Sequence, residues 1–337
     1  MSLAKTASAM SGLGLFLSYI NLANSQISGT RNVLAKVLLA ITFYVFAPIG
    51  MAMAIGGAMI SIDQAIYPQN KIDPAFTAAN IGEKTLPAKG ALLMQTVHTQ
   101  LERELNSPLG WAPNDVMGLQ FFDNRLNRQS GVIHASRGLS AVLSVKISKF
   151  GLGDEEDTEM KKARQTNYAF NEDEWGWYNM TNSEKYFYEG IAITKSYQER
   201  LINGNARINV TTADIYDILT VIKEDVLGEP YGRLVKRGND VENGELDDHV
   251  YYAQGAAIVA RDSLSVLFKA FSKEMDKGAD ENMRAAIDSL NAAAVFNPWW
   301  VARGDGPSMW ADHRSKMSRY YSEAIRRIED VAQSMRR

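Results

Sequence analysis

The amino-acid sequence predicts an all-α protein in which one N-terminal transmembrane helix precedes a large soluble domain built as a helical bundle. Residues 37–62 contain no charged side chain. Further along the chain, apolar residues recur every three or four positions, which is the spacing of one helix face. The alternating pattern of a β-strand is confined to residues 206–210, a stretch too short to support a sheet.

The composition is that of a folded chain. Its 337 residues suffice for two average domains, or for one large domain with an appendage. Hydrophobic residues make up 46% and charged residues 22%, which excludes wholesale disorder. A formal net charge of −3 gives no electrostatic basis for a nucleic-acid partner. The absence of cysteine excludes disulfides, zinc–cysteine sites and cysteine nucleophiles.

The first predicted element is the membrane anchor, a helix over residues 33–62 whose uncharged part is Val37–Ile62. As a helix this part would span about 39 Å, whereas a bilayer core of about 30 Å needs only about 20 residues. Pro48 should kink the helix near its middle. Ala52-Met53-Ala54 resembles a signal-peptide cleavage site, but the long preceding region and the continued apolar run favour an uncleaved anchor.

Charges beside the anchor predict its orientation. The segment before it carries Lys5, Arg31 and Lys36 and no acidic residue, whereas acidic and basic residues nearly balance on the far side. Because cytoplasmic flanks carry the excess of Lys and Arg, we expect an inner-membrane protein with a cytoplasmic N-terminus and a periplasmic C-terminal domain. Residues 1–32 are interpreted as a short amphipathic helix on the membrane surface or as a disordered tail.

Small side chains form a stripe on one face of the anchor. They recur every three or four residues, at Gly50, Ala54, Gly57, Ala58 and Ser61. Such a stripe lets two helices approach closely, although small residues are also frequent in membrane helices that do not associate. The sequence therefore makes this face a candidate self-association surface.

The soluble region begins with a predicted linker over 63–90, which holds Pro68, Pro74 and Pro87 and shows no sustained periodicity. Helical patterns dominate the remaining domain, 91–337. The Gly/Asp-rich stretch 238–246 is a candidate boundary between two subdomains. The predicted helices are Ala91–Leu105, Arg125–Phe150, one from Asn182 or Ser183 to about Asn203, one from Thr211 or Thr212 to just before Gly228, Asp247–Lys277, Asp280–Val295 and Ser315–Met335.

Four strings in the soluble region resemble those of a known bacterial family. They are LGWAPNDVMGLQFFDNRLNRQSGV (109–132), GEPYGRLV (228–235), ELDDHVYYAQGAAIVARDSL (245–264) and SMWADHRSKMSRY (308–320). Together with the overall layout, they resemble an uncharacterised proteobacterial inner-membrane family, domain-of-unknown-function family 2333, over roughly residues 30–337. The resemblance implies an N-terminal anchor, a helical domain and inner-membrane placement, and it brings no assigned activity or catalytic residue.

Two polar clusters are candidates for a metal site. Asp247 and His249 lie together at a predicted helix start, and Asp312 and His313 form the second cluster. Carboxylates and imidazoles are suitable ligands for a divalent ion. The alternative is that Asp247 caps its helix, where an acid meets the positive end of the helix dipole. Because no defined metal-binding spacing such as HExxH occurs, the sequence predicts no metal and no other cofactor.

Several tryptophans lie near acidic residues and are candidates for stacking on sugar rings. Trp175 and Trp177 follow the acidic patch at 172–174, and Trp299 lies in a second tryptophan-rich stretch. Neighbouring carboxylates are the groups that cleave glycosidic bonds. The alternative is that these rings fill the core or an interface, as most tryptophans do.

The leading functional hypothesis is a non-enzymatic, membrane-anchored scaffold in a bacterial cell-envelope assembly. It follows from the anchor, the small-residue stripe and the helical bulk, together with the absence from the sequence of a phosphate-binding glycine loop and of the G-x-S-x-G motif. The expected partners are the lipid bilayer and either further copies of the chain or other envelope proteins. The alternative hypothesis is a periplasmic protein that binds or cleaves glycan, with peptidoglycan as the expected polymer.

Overall fold

The structure, a computed structural model, describes residues 37–38, 41–47, 50–51, 54–55, 57–58, 61, 72–107, 110–114, 123–148, 156–176, 182–235, 245–275, 278–296, 298, 301 and 312–335. The chain divides into two compact units, Met1–Ser61 and Ile62–Arg337. The division coincides with the predicted end of the anchor.

In the first unit, the described residues between 37 and 61 are helical, with one π-helical turn at Thr42–Phe46. The hydroxyl of Thr42 donates to the carbonyl of Leu38 at 2.9 Å, so it is satisfied within its own helix. Pro48, where the sequence predicts a kink, lies outside the described residues. In the part of the chain that the structure describes, no helix combines the length and the apolar character that a membrane crossing requires.

The second unit is all-α, as the sequence predicts, and its described residues contain no β-strand. A 3₁₀ turn at Ala79–Glu83 follows the first helix, and π-helical turns at Ala163–Asn167 and Ile222–Val226 follow the fourth and the sixth. In chain order the α-helices are α1 (Pro74–Thr77), α2 (Leu86–Leu105), α3 (Asp123–Lys146), α4 (Thr158–Lys162), α5 (Ser183–Ile202), α6 (Thr212–Val221), α7 (Gly228–Val235), α8 (Leu246–Phe271), α9 (Ala279–Ala294) and α10 (His313–Ser334).

Local sequence signals set several of these helix ends. Asn182 caps α5 by accepting a bond from the Lys185 amide at 2.9 Å. Gly204 follows the same helix with a φ of 74°, a left-handed conformation that glycine adopts without steric cost. Thr211 caps α6 through a reciprocal capping box with Asp214. The predicted starts of these two helices are confirmed.

The prediction of a linker over 63–90 is wrong for its second half, which is helical and packs into the core. Phe76 and Ile81 are fully buried and belong to the hydrophobic core. α2 already begins at Leu86, with Pro87 in its first turn, where the missing N–H would have had no partner within the helix. Proline density misleads here because proline is favoured at helix starts as well as in linkers.

Two other predicted boundaries differ from the structure. The candidate subdomain boundary at 238–246 does not divide the domain, since residues 62–337 form one compact unit. α8, which begins in that stretch, packs against α2 and α3 before it and against α9 and α10 after it. The helical structure also continues past the predicted stop at Gly228, because Pro230 lies in the first turn of α7, where helices tolerate it.

α8 is the centre of the bundle. Between Val250 and Phe271, every residue except Lys269 is buried. A helix that is buried on all sides has no solvent-facing stripe on which to place polar groups. The polar side chains on α8 must therefore find partners inside the protein.

α3 and α8 cross where each helix has a glycine. A Cβ atom added to Gly131 would lie 2.0 Å from the carbonyl oxygen of Tyr252, and one added to Gly255 would lie 2.0 Å from the carbonyl oxygen of Arg128. Both obstacles are backbone atoms, which cannot rotate away as a side chain can. The close approach of the two helices therefore depends on these glycines.

A buried polar network joins α2 to α3. The carboxylate of Glu104 accepts bonds from Arg128 Nε at 3.1 Å and Nη2 at 3.2 Å, and from Gln129 Nε2 at 3.1 Å. The side-chain oxygen of Gln129 in turn accepts from the Ala112 amide at 2.8 Å. Burial by itself raises the pKa of Glu104, but Arg128 and Arg125 lower it more, so this pKa lies below its ordinary value.

A second buried pair lies within α8 itself. Arg261 Nε donates to Asp262 Oδ1 at 3.0 Å, and neither side chain is exposed. Arg261 also donates to Asn291 on α9 at 3.2 Å, and Gln100 on α2 donates to Asp262 at 2.5 Å. Burial raises the pKa of Asp262 despite these partners. The pair ties the central helix to α2 and α9.

Candidate functional site

An open cleft lies where α3, α7 and the first turn of α8 meet. Its volume is about 690 Å³, which is within the usual range of small-molecule sites. Among the residues that the structure describes, seven line it: Asn127, Glu229, Gly232, Arg233, Glu245, Asp248 and His249.

Glu229 holds the guanidinium of Arg233 on the cleft wall. Its carboxylate accepts a bond from Arg233 Nε one turn along α7. The guanidinium carbon also lies 3.9 Å from the centre of the Tyr252 ring, a cation–π contact. Burial, followed by the charge on Glu229, raises the pKa of Tyr252 far above its ordinary range, so this phenol stays protonated. Arg233 is thus fixed in position before any ligand arrives.

The start of α8 forms another wall of the cleft. Asp248 Oδ1 accepts a bond from Asn127 Nδ2 at 2.5 Å, which ties this wall to α3. Glu245 occupies the N-cap position of α8, but its exposed side chain makes no capping bond. The interpretation of Asp247 as the cap is therefore wrong by two residues, and Asp247 lies in the first turn.

His134 anchors the base of α7 to α3. Its Nε2 lies 3.0 Å from the carbonyl oxygen of Asp225, in the π-helical turn that precedes α7, and 3.9 Å from Glu229 Oε2. A carbonyl can only accept, so Nε2 carries the proton. Burial lowers the pKa of His134 more than Glu229 and the carbonyl raise it, so the ring is neutral at neutral pH.

The four candidate metal ligands take separate roles in the structure. His249 lines the cleft, whereas Asp312 caps α10 by accepting from the Ser315 amide at 2.9 Å. The ring of His313 packs edge-on against Phe296, with ring centres 5.7 Å apart. Among the residues that the structure describes, no group of three or more histidine and acidic side chains is arranged to hold a metal ion.

Of the three candidate glycan-stacking tryptophans, Trp175 is described, and it is 55% exposed. Trp177 and Trp299 lie outside the described residues. Trp111, by contrast, is a core residue whose indole N–H donates to the Glu172 carbonyl at 2.9 Å.

All five candidate self-association residues, Gly50, Ala54, Gly57, Ala58 and Ser61, are described and exposed. A Cβ added to Gly50 or to Gly57 would meet no atom within 4 Å in the described part of the chain.

Sequence reasoning missed Asn127, Glu229 and Arg233 as cleft residues. The four-residue spacing of Glu229 and Arg233 indicates a helical ion pair. This spacing does not indicate a cleft, because the other walls of the cleft come from α3 and α8, which are distant in the sequence.

One comparison with known proteins matches. The family described as "Uncharacterized protein conserved in bacteria (DUF2333)" matches residues 31–226, more than half of the chain. The chain belongs to this family. The family named from the sequence is confirmed over residues 31–226, and the three similar strings after residue 226 lie outside the match, which ends at the π-helical turn before α7. It includes Asn127 on one wall of the cleft, but not the cleft residues of α7 and α8. No curated protein and no solved structure matches the chain.

Proposed function

We propose that this DUF2333 protein is a non-enzymatic scaffold, anchored in the bacterial inner membrane by the helix at 33–62, that takes part in a cell-envelope assembly. One observation carries the proposal. Large apolar side chains in the first unit are exposed: Tyr44 is 78% exposed, Met51 64% and Phe46 61%. Exposed apolar side chains in such number favour an apolar environment, and the uncharged run is long enough for a bilayer to supply it.

Two features support a scaffold rather than an enzyme. Among the described residues nothing covers Gly50 or Gly57 on the small-residue face, and small side chains of this kind let a second anchor helix approach closely. In the second unit, Asp312, a candidate metal ligand, caps a helix, and the buried carboxylates of Glu104 and Asp262 bind buried arginines. The charge bias around the anchor favours a periplasmic second unit.

Membrane insertion is tested with the full chain expressed in a bacterium. We expect the wild-type protein to stay in the membrane pellet after alkaline carbonate extraction. Arginine at Met51 and Ile55 together should release it, because each charge costs about 2.5–3.5 kcal/mol near the bilayer centre. Leucine at the same two positions is the matched control and should leave the protein in the pellet. A carbonate-soluble wild-type chain would overturn the anchor.

The absence of cysteine makes orientation directly measurable. Ser2→Cys and Ser196→Cys each introduce one nearly isosteric thiol, and Ser196 is exposed on α5. With a membrane-impermeant maleimide added outside the inner membrane, Ser196→Cys should be labelled and Ser2→Cys should not. The reverse labelling pattern contradicts the proposed topology.

Self-association is tested in detergent by light scattering of the purified full chain. We expect an oligomer, and we expect Gly57→Leu to weaken it by about tenfold or more, since the larger side chain separates the helix backbones. Ile55→Leu is the control, because this residue is rotated about 100° from Ala54 on the helix. A wild-type chain that is strictly monomeric, with no copurifying protein, would exclude the scaffold.

A second candidate function, periplasmic glycan binding or cleavage, rests on the exposure of Trp175 beside Glu172 and Glu174. Of these two acids, Glu172 already pairs with Arg137 at 2.6 Å. Cosedimentation with isolated peptidoglycan distinguishes this function from the scaffold.

A further inference from the structure

The cleft between α3, α7 and α8 is lined by opposite charges that come from two different helices. Arg233 lies on the α7 wall, and Glu245 and Asp248 lie on the α8 wall. We propose that this cleft binds a small zwitterionic ligand, an amino acid or short peptide with both a free ammonium and a free carboxylate. The proposal concerns the second unit alone and does not depend on the scaffold function.

Arg233 is the group that would recognise the carboxylate. Within the described part of the chain, its one acidic partner is Glu229, which binds Nε. The two terminal nitrogens of the guanidinium remain for the paired hydrogen bonds that arginine makes to a carboxylate.

Glu245 is the group that would recognise the ammonium. It is exposed at the N-cap of α8, and its carboxylate caps no backbone amide. Asp248 adds a second negative charge on the same wall and is held in place by Asn127. Among the described residues of the lining there are three carboxylates and one guanidinium, and this excess of negative charge favours a ligand that carries an ammonium group beside its carboxylate.

The walls are ordered before binding. Glu229 and Tyr252 fix Arg233, and Asn127 fixes Asp248, so that less side-chain entropy is lost when a ligand binds. The volume of about 690 Å³ accommodates a short peptide. Gly232 forms a bare part of the wall, where an added Cβ would meet no atom within 4 Å among the described residues.

Gly232 provides a variant that fills the cleft, because a Cβ added there meets no atom within 4 Å among the described residues. Gly232→Leu places a side chain in the open space, and leucine is a better helix former than glycine. Gly232→Ala is its matched control, since one methyl group leaves most of the cleft empty. Circular dichroism and the melting temperature of the full chain check that both variants are folded.

The test is calorimetric titration of the full chain in detergent with triglycine, N-acetyl-triglycine and triglycine amide. We expect saturable binding of triglycine, and affinity about tenfold lower when either terminus is blocked. Gly232→Leu should abolish binding and Gly232→Ala should retain it. In Glu245→Gln, blocking the amine of the peptide should no longer lower its affinity. In Arg233→Lys, blocking the carboxylate should lower the affinity less than it does in the wild type.

Three outcomes would overturn the proposal. The first is that triglycine fails to bind saturably at concentrations up to about 10 mM, near the weak end of specific recognition. The second is that blocking either terminus of the peptide leaves its affinity unchanged. The third is that the Gly232→Leu variant binds triglycine as the wild type does, which would place the binding site elsewhere on the protein.

Discussion

Gly255→Ala is expected to destabilise the second unit by about 3 kcal/mol, at the upper end of the usual cost of overpacking. The new methyl group would lie 2.0 Å from the Arg128 carbonyl oxygen, so α3 and α8 would have to separate. The gain in helix propensity, about 1 kcal/mol, offsets only part of this cost. Gly131→Ala should behave in the same way, because its methyl group would meet the Tyr252 carbonyl oxygen at 2.0 Å.

Urea unfolding of the full chain, followed by circular dichroism, measures these changes. Gly232→Ala is the matched control, since it makes the same substitution in a helix where the added Cβ meets no described atom. It should leave stability unchanged or raise it by about 0.5–1 kcal/mol. Equal stability of Gly255→Ala and Gly232→Ala would show that the helix crossing tolerates a side chain.

Glu104→Leu is expected to destabilise the protein by about 3–5 kcal/mol, the cost of leaving a buried charge without its partner. The side chain of Arg128 is only 7% exposed, and its guanidinium would lose the carboxylate that accepts two of its bonds. Gln129 would lose the same acceptor. The pKa of Glu104 is lower in the folded protein than in the unfolded chain. Its ionised carboxylate therefore stabilises the fold fully at pH values above the pKa of the unfolded chain, and this stabilisation is lost as the pH falls through the pKa of the folded protein.

The double variant Glu104→Leu/Arg128→Met separates the two explanations for such a loss. If the uncompensated charge is the cause, replacing both partners should recover more than half of the lost stability, because an apolar pair of similar size packs well in the same space. If the double variant is less stable than Glu104→Leu, the network contributes through its shape and hydrogen bonds rather than through charge compensation. Urea unfolding at neutral pH decides between these outcomes.

Helix positions could be predicted well because their signals are local. The capping residues Asn182 and Thr211 and the terminator Gly204 act on backbone groups within four residues of themselves. The predicted linker failed where a local signal has two meanings. Pro87 serves equally in a linker and in a first helical turn, and only the packing of Phe76 and Ile81 against the core distinguishes the two.

The cleft could not be predicted from the same signals. Its walls pair Asn127 with Asp248, 121 positions apart, and place both beside Arg233. Sequence reasoning chose His249 for its chemistry, and this residue does line the cleft. It also chose Asp312, whose carboxylate caps its own helix. Residue type alone does not distinguish a carboxylate that caps a helix from one that lines a cleft.

The sequence by itself determined the all-α class, most helix ends, the uncharged run at 37–62 and the family of the chain. Periodicity, capping and family motifs all depend on residues that are close in the chain or on their order. The tertiary structure alone decided that Gly131 and Gly255 meet, that Glu104 is buried against Arg128, and that three helices enclose a charged cleft. Steric exclusion and the loss of water around a charge depend on which distant segments pack together, and no local pattern records that.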